Sequence, residues 1–265
     1  MRFLLFFILL VGLLHAQSIK LPLLSINKDE AIVEGNDLKV GMSGFVVRTF
    51  DGTHSSIIAN VKVKSLDTVN HKATLSLSRY DGLHQDALPS GSWKPQPNDT
   101  VVINYDSRRA LVIAPNDETY DAITKNTSYE WSHPDLFATF LSYEGHQTPL
   151  VKDFHDYCTA NSIGALMIQD SNTLFTLDCK TFTVLDIKPL AMKSTTYQKP
   201  FYSRLPMIRG AWWGEGSSPI KDYTNYYLEQ IALNNPKNLQ LYELYKVKFS
   251  GKSSLLQYFN VEEQK

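Results

Sequence analysis

Between Arg109 and Ile123 the chain changes its repeat, and that change limits the folds open to it. Ala110 to Ala114 is a short apolar run bounded by charge and proline, which reads as a strand buried on both faces. Pro115 stops the run. Asn116 then stands where a helix cap belongs, and Asp117 and Glu118 place negative charge in the first turn, where the helix dipole favours it. A strand feeding directly into a capped helix is half of a βαβ unit. The residues before this point pattern as β-structure alone, and those after it as mixed helix and strand.

The first residues read as an address rather than as fold. Met1-Arg2 is a short basic start, Phe3 to Leu14 is unbroken apolar sequence, and Ala16 offers a small residue for cleavage. A membrane-crossing helix needs roughly 20 apolar residues, so residues 1–16 are expected to be a cleaved secretory signal. No cysteine follows the run to carry a lipid. No later segment is long and apolar enough to cross a bilayer. The 26 Lys and Arg side chains nearly balance 27 Asp and Glu. They form no basic cluster, which speaks against nucleic acid as a partner. The expectation is an exported protein, at the cell surface or in the periplasm or outer membrane.

Residues 21–105 show short strands and turns. Gly41 and Gly44 bend the chain into a strand from Phe45 to Phe50, and Asp51-Gly52 signals a hairpin. Val61 and Val63 alternate, and after a turn near Asn70 so do Ala73, Leu75 and Leu77. Asp99 to Asn104 adds another strand. One apolar face repeated at this spacing predicts a small antiparallel β-barrel, SH3-like in size. Residues 106–190 predict an α/β unit with a three- to four-stranded mixed sheet. Helices are expected from Asn116, from His133-Pro134 to Gly145, and from Leu150 to Ala160. Strands are expected at Ile163 to Ile168, Leu174 to Leu177 and Thr181 to Ile187. Residues 191–218 read as a linker, and residues 219–265 as a helical segment with a flexible polar tail from Gly251. Leu239 to Phe249 fits a helix and a strand equally. The whole is α+β.

Cys158 and Cys179 are the only cysteines. In an exported chain an even pair favours a disulfide. Free buried thiols, or a metal or nucleophilic site with His155 three residues from Cys158, are the alternatives. No fourth metal ligand stands at a matching spacing, so neither metal nor cofactor is expected. His54, His71, His84, His133 and His146 are scattered near turns. Asp117 and Glu118 as paired carboxylates compete with their simpler role at a helix start. There is no nucleophile elbow, phosphate loop or dinucleotide fingerprint, and no enzyme is expected. Tyr197, Phe201, Tyr202, Trp212 and Trp213 form an aromatic group that either binds a partner or seals a linker against a core.

Several runs together carry a resemblance. They are Leu38 to Val47, Leu111-Val-Ile-Ala-Pro-Asn-Asp-Glu-Thr-Tyr120, Asp135 to Leu141, Pro200 to Arg204, and the cysteine pair flanking the strands. From about Leu21 to Leu233 the chain resembles the N-terminal domain of the PgbA family, exported plasminogen-binding proteins of epsilonproteobacteria. The resemblance implies a surface protein that captures host plasminogen through lysine-binding kringles. Members of that family carry a long Lys/Glu-rich extension ending in lysine. In this chain Lys265 is the matching plasminogen-binding candidate, presented by the polar tail. The alternative is a periplasmic or outer-membrane-associated structural module with a bacterial partner.

Overall fold

A computed structural model describes residues 18–80, 93–104, 108–125, 127–191 and 196–261. The signal segment and Lys265 lie outside them. Two sheets dominate. The first contains β1 (Ile19–Pro22), β2 (Ser25–Asn27), β3 (Glu30–Glu34), β4 (Ser43–Thr49), β5 (Ser55–Asp67), β6 (Lys72–Arg79) and β7 (Thr100–Ile103) in the order β1-β7-β4-β5-β6-β3-β2, with all pairs antiparallel. Its two ends are consecutive in the chain. The Leu23 amide donates to the carbonyl of Asp99, just before β7, and the next amide, Leu24, donates to the carbonyl of Ile32 in β3. The backbone thus changes partner within one residue step and brings the two ends of the curled sheet towards each other. Register shifts at Val46/Val47 in β4 and Val63/Ser65 in β5 supply the curl, because an extra residue on one strand bends it. Alternating Ala31, Val33, Val61, Val63, Ala73 and Leu75 fill the interior. Strands 45–50, 61–63, 73–77 and 99–104 fall where the alternation placed them.

The second sheet runs β12-β11-β10-β8-β9, built from β8 (Arg109–Ile113), β9 (Glu130–Ser132), β10 (Ala165–Asp170), β11 (Thr173–Asp178) and β12 (Val184–Pro189). β10 and β9 lie parallel to β8, β11 runs antiparallel to β10, and β12 runs antiparallel to β11. The sheet is mixed, as the sequence indicated, with β9 as a further strand. β9 has only three residues and no period to read. β8 is buried on both faces. Leu111 and Ile113 face the large core beneath the helices, whereas Val112 and Ala114 join Ile123 and Met167 on the other side.

Five helices complete the fold: α1 (Asp117–Thr124), α2 (Pro134–Glu144), α3 (Val151–Ala160), α4 (Tyr223–Asn234) and α5 (Leu239–Lys248). Asn116 caps α1 by accepting the Thr119 amide at 2.9 Å, the role its position suggested. α2 starts with Pro134 in its first turn and ends at Gly145, whose φ of 77° permits the left-handed cap. α5 resolves the 239–249 ambiguity in favour of helix. Leu241 and Tyr245 enter the large core, and Lys248 pairs with the fully buried carboxylate of Asp170. The stretch read as a polar tail also differs from expectation. A 3-10 turn at Ser254–Tyr258 buries Leu255, and Phe259 follows it into the core.

The two cores are separate clusters, and the seam between the sheets is polar. Ser43 donates its amide and hydroxyl to Asp178 Oδ2 at 2.8 and 2.7 Å. Asp178 Oδ1 accepts the Lys180 and Thr181 amides. Thr181 donates its hydroxyl to the Gly41 carbonyl at 2.7 Å, and the Lys180 ammonium stands 4.4 Å from the Phe45 ring centre. Gly41 has φ +94°, and a Cβ there would strike Thr183 at 2.2 Å. Only glycine lets the backbones approach so closely.

Candidate interaction surface

The residues with an expected role separate in space. Cys158 at the end of α3 and Cys179 after β11 are bonded to each other and buried in the large core. His155 does not join them: its Nδ1 is 2.8 Å from the Lys180 carbonyl oxygen. Among the described residues no group of three or more His, Cys, Asp or Glu side chains is placed to hold a metal. Asp117 and Glu118 are exposed in the first turn of α1, and the Asp117 carboxylate accepts the Glu118 amide. Two of the histidines have structural work. His133 caps α2 by accepting the Asp135 amide at Nδ1, and burial holds its pKa below the usual value. His146 meets both oxygens of buried Asp153 at 2.9 Å.

The aromatic group divides. Phe201 is buried and stacks on Phe137 with ring centres 5.5 Å apart. Tyr202 and Tyr197 pack at the margin against Tyr120 and Tyr223. Trp212 and Trp213 are 100% and 85% exposed. Sealing and display are therefore given to different members of the group.

The exposed pair sits on a framework that can be traced residue by residue. From Pro200 the chain follows α2 as a strap, parallel to the helix. At the start of α2 the Arg204 amide and guanidinium donate to the two Asp135 oxygens at 2.8 and 2.7 Å. The Arg209 amide reaches Ser142 Oγ, and the Ala211 amide reaches the Gly145 carbonyl at 2.7 Å. Phe201 and Ile208 anchor the underside. Burial opposes ionisation of Asp135, but the Arg204 hydrogen bonds outweigh it and leave the carboxyl below its ordinary pKa.

After the strap, residues 210–218 form a loop that is closed at its base. A Cβ on Gly210 would lie 2.4 Å from the Ser217 carbonyl oxygen, so the two feet touch. Thr148 holds the returning limb: its amide donates to the Gly216 carbonyl at 2.9 Å and its hydroxyl to the Ser218 carbonyl at 2.6 Å. Gly216 lies against the His146 ring. Asp153, which orients that ring, also accepts the Leu150 amide at the start of α3. Beneath the returning limb opens a cleft of about 560 Å³, with Lys152, Glu215, Tyr226 and Gln230 among its walls. Burial raises the Tyr226 pKa well above its usual value, and its hydroxyl donates to the Pro149 carbonyl. The cleft thus offers polar contact, with its phenol held neutral.

Sequence reasoning found the two tryptophans but not their surroundings. Tyr143, Met207 and Leu136 are 88%, 62% and 58% exposed on α2 and the strap. Leu136 and Tyr143 are seven residues apart on a helix, a spacing that puts them on one face. Leu136, Phe137, Phe140 and Leu141 are all apolar and close together in the sequence. Phe137 and Leu141 do turn inward, and the extra apolar residue is the signal that was available.

Known proteins match this framework. The family described as plasminogen-binding protein PgbA N-terminal matches residues 18–231. The plasminogen-binding protein PgbA of Helicobacter pylori strain J99 is 30% identical over 210 residues, covering 78% of this chain and 45% of the relative. Its counterpart from strain 26695 is 31% identical over 196 residues, covering 72% and 42%. The chain spans less than half the length of these curated relatives. No solved structure matches it. The 210–218 loop lies inside the family match, whereas α5 and the 3-10 turn lie beyond it.

Proposed function

The chain belongs to the PgbA N-terminal family, and from that premise we propose that it is an exported envelope protein that binds host plasminogen at the cell surface. The family match across residues 18–231 carries the reading. The basic start and apolar run before residue 17 support export. The Cys158–Cys179 bond suits an oxidising compartment. Among the described residues no helix is long and apolar enough to cross a membrane.

Lys265 is the proposed main determinant. With a free carboxylate it offers an ammonium and an anion at a fixed separation, to which a kringle's paired charges can make charge-assisted hydrogen bonds. Its apolar stem can lie along aromatic walls. The helical ion pairs Lys125–Asp121 and Lys152–Asp156 are weaker candidates, because each ammonium is already held by its own carboxylate. The test is plasminogen binding by the chain and by a version lacking Lys265, with a free lysine analogue as competitor. Loss of binding on deletion, and competition by the analogue, are expected. Equal binding insensitive to the analogue rules the lysine out.

A second reading has its own support. The relatives are more than twice as long as the matched region, so the named activity belongs to proteins that contain much besides it. On that reading the chain is a periplasmic or outer-membrane-associated structural module with a bacterial partner. Protease added to intact cells separates the two: a surface protein is cut, and a periplasmic one is protected.

A further inference from the structure

We propose that the loop at residues 210–218 is a peripheral membrane anchor that seats Trp212 and Trp213 in the interfacial zone of an anionic phospholipid bilayer. Two adjacent indoles with 100% and 85% of their surface in water are costly, since moving large apolar rings out of water is favourable. Their mounting is a projection, not a groove or a flat face. The feet meet at Gly210 and Ser217, and the tip stands clear of the body. A rigid protein partner would need a cavity shaped for both rings. A fluid interface needs none, and indoles favour that layer because the ring is apolar and its N–H stays wet.

The charges agree with this occupant. Gly210-Ala-Trp-Trp-Gly214 carries none. Arg209 immediately precedes it, and Lys221 follows the returning limb. The Lys199 ammonium lies on the Lys221 carbonyl at 3.0 Å, which brings a third cation to that side. None of the three has a carboxylate partner among the described residues, which leaves them available to lipid phosphates. Glu215, the acidic residue of the loop, lines the cleft instead. Tyr143 on α2 and Met207 on the strap are also exposed. Because Thr148, Gly145 and His146 already fix the base, little conformational entropy is lost on docking. The placement of the bilayer in the cell rests on the export reading above; lipid binding itself does not.

The test uses the full chain without its signal segment and vesicles of phosphatidylethanolamine and phosphatidylglycerol. Sedimentation gives the partition, and tryptophan emission with bromine-labelled acyl chains gives the depth. The unaltered protein is expected to pellet with the vesicles, shift its emission to the blue and be quenched. W212A/W213A should partition at least about tenfold less, with the emission of Trp93 and Trp131 unaffected by lipid. R209Q/K221Q should weaken binding about tenfold or more at low salt, and much less on phosphatidylcholine vesicles. Plasminogen binding in solution, measured on the same variants, should not change. Absence of quenching in the unaltered protein overturns the proposal. So does equal partition of W212A/W213A. Loss of plasminogen binding in W212A/W213A, with vesicle partition intact, assigns the indoles to a protein partner and overturns it as well. Failure of the unaltered chain to bind plasminogen bears only on the earlier reading.

Discussion

His133 and Asp135 show how single side chains set the start of α2. The His133 ring must be neutral at Nδ1 to accept the Asp135 amide, and burial already lowers its pKa. A histidine whose folded pKa is depressed contributes stability above its unfolded value, near 6.5, and loses it as pH falls through the lower folded value. Asp135 is depressed too, so its contribution persists above the ordinary carboxylate range and disappears at more acid pH. Melting curves from pH 7 down to about pH 2 should therefore show two successive losses, the His133 loss below its ordinary value of 6.5 and the Asp135 loss below 3.8. His133→Asn, which keeps a cap but does not titrate, should remove the first and spare the second. Identical profiles for the two proteins would refute the assignment. The cysteines are a second case. Their even number in a chain with an apolar leader led directly to the pair, and the bond closes a separation of 21 residues. In the chain-entropy model that stabilises by about 3 kcal/mol. C158A/C179A should lose at least that much in urea unfolding, and the unreduced native protein should take up no alkylating reagent. By contrast Asp153 was invisible in the sequence. Its partners, Leu150 and His146, are neighbours through the turn into α3, and no motif announces them.

Among the elements, those read best were the ones whose start and stop are written in local chemistry. Asn116 for α1, His133-Pro134 and Gly145 for α2, and the alternation of Val61 to Leu77 all act within a few residues. Elements fixed by distant contacts were missed or left open. β9 exists because Arg109, Ala110 and Leu111 offer it an edge, and α5 is a helix because Leu241 and Tyr245 have a core to enter. The strap belongs with these: its path is set by hydrogen bonds to Asp135, Ser142 and Gly145, which no period in residues 200–211 encodes. Gly145 joins the two kinds. It ends α2 with a left-handed residue, and it receives the Ala211 amide. Gly145→Ala would place a Cβ 2.9 Å from that of Ala211 at φ +77°. The cost should be about 1–2 kcal/mol, a fall in Tm of roughly 2–8 °C. The same variant should expose the base of the loop to faster amide exchange at Ala211. An unchanged exchange rate there would show that the strap is held elsewhere.

For the whole molecule, the sequence predicted a β part followed by an α/β part, and the two sheets appear in that order. What it did not contain is the seam, since Ser43 and Asp178 are 135 residues apart. We propose that the two parts are separate units made cooperative by this carboxylate. Asp178→Ala leaves the Ser43, Lys180 and Thr181 amides and the Ser43 hydroxyl without their acceptor. Unpaired donors in a mostly buried seam should cost about 3 kcal/mol in total. Calorimetry is expected to show one transition for the unaltered chain and two for D178A. A single, merely shifted transition in D178A would mean that the sheets are coupled by other contacts.

The partner change at Leu23 and Leu24 has a consequence in time. Residues 19–27 are among the first described to leave a ribosome or a translocation pore. One half of that stretch needs β3, a few residues behind it. The other half needs Thr100–Ile103, some 80 residues later. Until those arrive, the leading segment has part of its backbone unmatched and the sheet lacks the strand that joins β1 to β4. Closing so large a loop is slow, because its entropy is lost before any contact is gained. A chain built this way keeps its first sheet unfinished, and its leading residues free to move, until β7 at the far end of that sheet has been made.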